Sequence, residues 1–117
     1  MSGLTFFDFE NLPTPRHGAP LADRLVEGNP KFTTWDIETS ADGTVTSGIW
    51  EVTPGAYWSI KGDSWEFCSI LSGVSELIEE GQPPRRVQAG DSFVMKPGFK
   101  GIWRVIETTR KLWVQKD

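Results

Sequence analysis

Three side chains in the middle of the chain, a carboxylate, a thiol and an amine, are of types that can do chemistry. Glu66 and Cys68 are two residues apart, and Lys61 precedes them. Alternate residues of a strand point to the same side, so a strand that turns Glu66 inward also turns Cys68 and Ile70 inward. Burial raises the pKa of a carboxyl group, which makes Glu66 a candidate general acid or base. The alternative is a hydrogen-bonded carboxylate with a structural role.

Lys61 and Cys68 are weaker candidates than the glutamate. Lys61 lies in the turn Lys61-Gly62-Asp63, where it could orient a substrate through a carboxylate or hydroxyl group, although charged loop residues are often simply solvated. Cys68 could be a nucleophile, but free cysteine is among the most buried residue types, and the single histidine, His17, is distant in sequence. We therefore place Cys68 in the wall of a binding site.

Tryptophan is the second set of candidates, with six copies in 117 residues. Trp50, Trp58 and Trp103 lie near glycines, and strand alternation puts Trp103 on one face with Gly101. Aromatic rings can form stacking walls in a ligand pocket, and they also fill barrel interiors. For any single tryptophan, core packing is the favoured interpretation. A sugar, a purine-breakdown intermediate or a planar acid could stack on those that line a pocket.

Short strands must position these side chains. From residue 31 onward, runs of β-branched and aromatic residues alternate with turns rich in glycine, proline and aspartate, and no helical period is sustained. The predicted strands are residues 32–38, 45–53, 56–60, 65–71, 75–79, 85–87, 92–96, 101–107 and 110–115. The chain should reverse at Ser72-Gly73 and at the other intervening turns. About nine short strands predict an all-β domain, either a double-sheet jelly roll or a small barrel.

Residues 1–30 differ from this pattern and predict an extended N-terminal arm, so the barrel domain is assigned to residues 31–117. Phe6, Phe7 and Phe9 lie among acidic residues, and prolines at 13, 15 and 20 interrupt any regular element. Such apolar residues need a surface to cover. The arm packs either on its own barrel or on a partner subunit, and we favour the partner.

Composition limits the partners and the compartment. Twelve basic and sixteen acidic side chains give a net charge of −4 without a Lys/Arg run, which argues against binding nucleic acid. Cys68 is the only cysteine, so no intrachain disulfide is possible. No apolar stretch approaches the length of a membrane span or a signal sequence. We therefore expect a cytoplasmic protein without a membrane partner.

Four motifs, in order, resemble a known family. They are GIWEVTPG at residues 48–55, EFCSILSG at 66–73, GDSFVMKPGFKGIW at 90–103, and Arg110-Lys111. The chain resembles the short, single-domain bacterial cupins related to the cupin domain of ureidoglycine aminohydrolase, within the RmlC-like superfamily. This resemblance implies a double-stranded β-helix, or jelly-roll, cupin barrel that is frequently dimeric, and we expect a homodimer.

The chain departs from that family at the metal site. Most cupins bind a metal through two histidines before the glutamate and one after the second motif. Here the first two positions fall on Ser59 and Lys61, or on Ile60 and Gly62, and the third falls on Gly101. Only the glutamate position, Glu66, is filled. A protonated lysine cannot be a metal ligand, and His17 could supply at most one, so we expect no metal and no other cofactor.

These observations predict a cupin that binds a small polar or anionic metabolite in a tryptophan-lined barrel, with Glu66 as the main polar group. Whether the bound molecule is turned over stays open. One alternative, implied by the resemblance, is metal-assisted deamination of a ureido compound. A second alternative is a non-catalytic dimeric interaction module whose barrel is filled by its own aromatic side chains.

Overall fold

The computed structural model describes residues 2–117, and these residues form nine strands and no helix. The strands are β1 (Arg16–Gly18), β2 (Leu25–Gly28), β3 (Phe32–Thr39), β4 (Val45–Val52), β5 (Gly55–Ile60), β6 (Trp65–Glu79), β7 (Arg85–Gln88), β8 (Ser92–Met95) and β9 (Lys100–Lys116). The all-β prediction is confirmed. No helix in the described part of the chain could cross a membrane.

Strand β9 organises the sheet. Every strand pair is antiparallel, and the neighbours follow the order β1-β3-β4-β9-β5-β2. One edge of β9 pairs with β5 through its first half and with β4 through its second half, while the other edge pairs with β6. Strand β6 also pairs with β7 and β8. The sheet therefore curls around a central space that β9 and β6 both face.

The predicted reversal at Ser72-Gly73 is absent, because β6 is continuous there. Strand β9 is likewise continuous where the sequence indicated two shorter strands, residues 101–107 and 110–115. Gly73 does not end a strand. It lies at φ 86° in a region where the pairing of β6 with β9 shifts register three times. A Cβ atom on Gly73 would lie 2.0 Å from the carbonyl oxygen of Thr108. The glycine therefore permits a β-bulge and a close strand approach inside a long, bent strand.

The core lies between the two long strands and the aromatic side chains that face them. Val52, Ile70 and Trp103 are at most 2% exposed. The Trp50 and Trp103 rings meet edge to face with centroids 5.3 Å apart, a geometry that adds to the free energy gained by burying their area. The rings of Trp50 and Trp103 also contact the ammonium group of Lys111, so the aromatic core adjoins a polar site.

The predicted arm contains two short strands. Strand β1 pairs with β3, and strand β2 pairs with β5, so residues 16–28 extend the barrel sheet. Nearer the N-terminus, Leu4, Phe6 and Phe9 are 72%, 79% and 53% exposed. The contact of this arm with a partner subunit stays a prediction.

Candidate functional site

A cavity of about 430 Å³ opens into the barrel interior. Residues of β1, β3, β4, β5, β6 and β9 line it, together with the turn before β6 and the segment between β1 and β2. Its inner wall combines aromatic and charged groups, including Phe32, Trp50, Tyr57, Lys61, Glu66 and Lys111. The volume lies within the range of small-molecule sites in proteins.

Glu66 is the centre of the polar wall. Its side chain is 5% exposed, and its two carboxylate oxygens accept hydrogen bonds from three different groups. Lys61 Nζ donates to Oε1 at 2.5 Å, and Lys111 Nζ donates to Oε2 at 2.7 Å. The Cys68 thiol also donates to Oε2, with a sulfur–oxygen distance of 3.1 Å. Both oxygens of the buried carboxylate therefore have hydrogen-bond donors close by.

The position of Lys111 follows from strand pairing. Gln115 lies opposite Glu66 on β9, and Lys111 is two inward-facing positions away from Gln115 on the same strand. Only a long, flexible side chain can reach the carboxylate from there. The Lys111 ammonium group also lies between two indole rings, 4.4 Å from the Trp50 centroid and 4.6 Å from the Trp103 centroid. These cation–π contacts fix the lysine while it pairs with Glu66.

Lys61 reaches the same carboxylate from the turn between β5 and β6. Its backbone N–H donates to the carbonyl of Phe99 at 3.0 Å, and its carbonyl accepts from Ser64 N–H at 3.0 Å. Ser59, Ile60 and Lys61 all line the cavity, and Gly62 does not. The Lys61 side chain reaches Glu66 there, which favours the first of the two alignments considered from the sequence. Lys61 was predicted to orient a substrate, and in this structure its first partner is Glu66.

The pKa of Glu66 moves in the opposite direction from the sequence-based expectation, which was wrong on this point. Burial alone raises this pKa, but Lys111 and Lys61 outweigh it and lower the pKa from 4.5 to about 2. Burial also opposes the charged form of Lys111, yet Cys68 and Glu66 raise its pKa overall. The pair is therefore ionised at neutral pH. Such a carboxylate is a weak base and does not supply a proton.

Cys68 belongs to the wall behind the cavity and does not line it. The thiol is completely buried, and burial is the main reason that its pKa rises to about 12. A thiol in this environment stays protonated at neutral pH, and the thiolate is the nucleophilic form. The interpretation of Cys68 as a packed side chain is therefore favoured over nucleophilic catalysis.

The three predicted tryptophans have different positions. Trp50 lines the cavity. Trp103 is 1% exposed and lies behind Lys111 as a core residue. Trp58 is half-buried at the cavity rim, where the ammonium group of Lys100 lies 5.4 Å from its ring centroid. Trp50 and Trp58 therefore line the cavity, and Trp103 is separated from it by Lys111.

Sequence reasoning missed Lys111 and Tyr57 as site residues. Tyr57 lines the cavity, and burial, followed by the charge of Glu66, raises the pKa of its hydroxyl group. A signal for Lys111 was present in the sequence. Trp103 and Lys111 are both odd-numbered residues of one continuous strand, and both are buried. The alternation that placed Trp103 inward therefore also indicates Lys111, provided that β9 is not divided near Thr109.

The donor set does not fit the metal centre that cupins commonly carry. Within residues 2–117, no group of three or more His, Cys, Asp or Glu side chains is placed to hold a metal ion. Glu66, which would be the glutamate ligand of such a metal centre, instead forms ion pairs with the ammonium groups of Lys61 and Lys111. At Gly101, a Cβ atom would lie 2.8 Å from the carbonyl oxygen of Ile78 and 2.9 Å from the Phe99 ring. This position therefore has no room for a histidine.

Comparison with known proteins identifies the family to which the chain belongs. Residues 39–113 match the model of the EutQ-like cupin domain, and the chain belongs to this family. The prediction of a jelly-roll cupin barrel is thereby confirmed. Among curated proteins, none matches the chain at a significant level.

Solved structures with the same fold are diverse. A DUF861-family protein of unknown function from Pseudomonas syringae pv. tomato is 21% identical with a TM-score of 0.82, and the match covers 94% of this chain and 46% of that one. The putative ethanolamine utilization protein Q of Salmonella typhimurium is 20% identical with a TM-score of 0.63, covering 73% and 68%. Ectoine synthase from P. lautus is 14% identical with a TM-score of 0.66, covering 73% and 63%.

At these identities the likeness establishes the fold and not an activity. The chain also spans less than half of the Pseudomonas protein.

Proposed function

We propose that this cupin binds a small anionic metabolite in its barrel cavity. The observation that carries the proposal is the charge of the inner wall. Lys61 and Lys111 share the single carboxylate of Glu66, and this group of three keeps one positive charge in excess beside a cavity of about 430 Å³. A buried charge without a counter-charge is costly, and an anion in the cavity would compensate it.

The two lysines also have hydrogen-bonding capacity to spare. An ammonium group carries three donors, and Lys61 and Lys111 each use one of them on Glu66. A carboxylate or phosphate group that enters the cavity would accept charge-assisted hydrogen bonds from the remaining donors. Trp50 would provide an apolar face for the rest of the molecule. Glu66, in this proposal, positions both cations and does not transfer a proton.

Two other functions are supported less well. A barrel filled by its own aromatic side chains would suit a pure interaction module, and the open cavity beside Glu66 argues for a ligand instead. Metal-assisted deamination of a ureido compound, as in the resemblance to ureidoglycine aminohydrolase, needs metal ligands. The ammonium groups on Glu66 and the steric limit at Gly101 do not fit that requirement.

The test is a calorimetric titration of the protein with acetate, pyruvate, lactate and inorganic phosphate, and with acetamide as a neutral control. We expect the anions to bind and acetamide not to bind. Replacing Lys111 with methionine should weaken anion binding by about 10- to 100-fold, which corresponds to one charge-assisted hydrogen bond. Lys61→Met should act in the same direction.

The matched control is Lys116→Met, which removes an exposed lysine from the same strand without touching the cavity. Circular dichroism checks that every variant is folded. If no anion binds to the wild-type protein, or if Lys116→Met weakens binding as much as Lys111→Met, the proposal is wrong.

A further inference from the structure

The rim of the cavity carries a second cationic group. In the segment between β1 and β2, Ala19, Pro20, Leu21 and Arg24 line the rim of the cavity. The backbone of Arg24 is fixed on both sides. Its N–H donates to the carbonyl of Leu21 at 2.9 Å, and its carbonyl accepts from Trp58 N–H at 2.8 Å. The Arg24 side chain therefore starts from a backbone that is anchored to the backbone of Trp58.

Arg24 differs from the other arginine at the rim. Arg16 forms two hydrogen bonds with the carboxylate of Asp36, at 2.7 and 3.2 Å, and this pair is neutral overall. Among residues 2–117, the ion pairs involve Arg16, Lys61, Lys100, Arg110 and Lys111, and Arg24 takes part in none of them. The residues that line the rim, with Arg16, Asp36 and Arg24 as their charged members, therefore have one positive charge in excess.

The cavity thus has an excess positive charge at each of two places. The inner wall contributes one through Lys61, Lys111 and Glu66, and the rim contributes the other through Arg24. The chain as a whole carries a net charge of −4, so this distribution runs against its overall charge. Complementary charge favours a matching partner and disfavours others.

We infer that the ligand is a small dianion with an anionic group at each end, of which an α,ω-dicarboxylate is the simplest form. This inference rests on the proposed function and makes it more specific. One end binds at Lys61 and Lys111, and the other end binds at Arg24. The guanidinium group has a planar fork of donors that matches a carboxylate in a bidentate arrangement. The apolar middle of the molecule lies against Trp50 and Trp58.

The experiment is a calorimetric series with oxalate, malonate, succinate, glutarate and adipate. Each is compared with the monocarboxylate that has the same number of carbon atoms. Phosphoglycolate is added to distinguish a dicarboxylate from a molecule with one phosphate and one carboxylate. We expect one length of dianion to bind at least about tenfold more tightly than its monoanion, because a second charge-assisted contact is worth more than 1.4 kcal/mol.

Arg24→Gln should reduce the affinity of that dianion to the level of its monoanion. Arg86→Gln, which removes an exposed arginine on β7 that does not line this cavity, should leave the preference intact. Equal affinities for dianions and monoanions in the wild-type protein would overturn the inference while the proposed anion binding stands. A dianion preference that persists in Arg24→Gln would overturn it too. Failure of all anions to bind would overturn both proposals.

Discussion

Lys111 donates a hydrogen bond of 2.7 Å to Glu66 while the two side chains are only 7% and 5% exposed. The residues are 45 positions apart in the sequence, and strand pairing between β6 and β9 brings them together. A buried ion pair of this kind contributes little net stability relative to a well-packed apolar pair, but the loss of one partner is costly. The pair is therefore better explained by what it presents to the cavity than by stability alone.

The first prediction concerns the stability of Lys111→Met. This change leaves Glu66 buried with Lys61 as its only charged partner, and we expect the free energy of unfolding to fall by about 3–5 kcal/mol. Urea denaturation measures it. Lys116→Met, on the exposed side of the same strand, should change this free energy by less than about 0.5 kcal/mol. A similar loss of unfolding free energy in both variants would contradict the interpretation that Lys111 is the buried partner of Glu66.

The second prediction is a pH dependence that Glu66→Gln removes. The pKa of Glu66 is 4.5 in its ordinary state and about 2 in the folded protein, so the unfolded chain binds this proton more readily. The carboxylate therefore contributes stability above pH 4.5, and that contribution is lost as the pH falls toward 2. At about 1.4 kcal/mol per unit of pKa, the loss is on the order of 3 kcal/mol.

Urea denaturation at several pH values between 6 and 2 tests this. The gap in free energy of unfolding between the wild-type protein and Glu66→Gln should be largest at neutral pH and should close toward pH 2. The difference between the two proteins removes the contribution of other carboxyl groups, such as Asp42, whose pKa is also lowered to about 2. A gap that does not change with pH would show that Glu66 is not held ionised.

Strand alternation was sufficient to place much of the site. It put Glu66 and Cys68 on one face, and it put Gly101 and Trp103 on another, and all four residues are buried. It could not supply the pKa of Glu66, because that depends on Lys111 across the sheet. Local patterns describe burial, which raises the pKa of a carboxyl group, and they do not describe the long-range partners that lower it.

The continuity of the long strands β6 and β9 could not be predicted from the sequence patterns either. Ser72-Gly73 has the composition of a turn, and only the approach of Thr108 from β9 shows why a glycine is needed inside a continuous strand. That contact is a tertiary one. The sequence-based prediction divided β9 into two strands near Thr109, although the strand is continuous. That division interrupted the alternation that would have indicated Lys111 as an inward-facing residue.

The third prediction compares two glycines with nearly equal backbone angles. Gly73 has φ 86° and Gly98 has φ 89°, so alanine is strained at both positions, by about 1–2 kcal/mol. A Cβ atom at Gly98 meets nothing within 4 Å, whereas at Gly73 it meets the Thr108 carbonyl. Gly73→Ala should therefore lower the free energy of unfolding by about 1–3 kcal/mol more than Gly98→Ala, measured by urea denaturation. Equal costs would rule out the strand approach as the reason for Gly73.

The last prediction concerns the N-terminal arm and the expected homodimer. Leu4, Phe6 and Phe9 are more than half exposed in the single chain, and exposed apolar side chains that lie close together mark surfaces that contact another molecule. If the arm packs on a second copy, deletion of residues 2–10 should shift the protein from dimer to monomer in sedimentation velocity, while leaving β1 in place. Leu4→Ser combined with Phe6→Ser should produce the same shift without shortening the chain. A sedimentation profile that is identical for the wild-type protein and both variants would exclude the arm from any dimer contact.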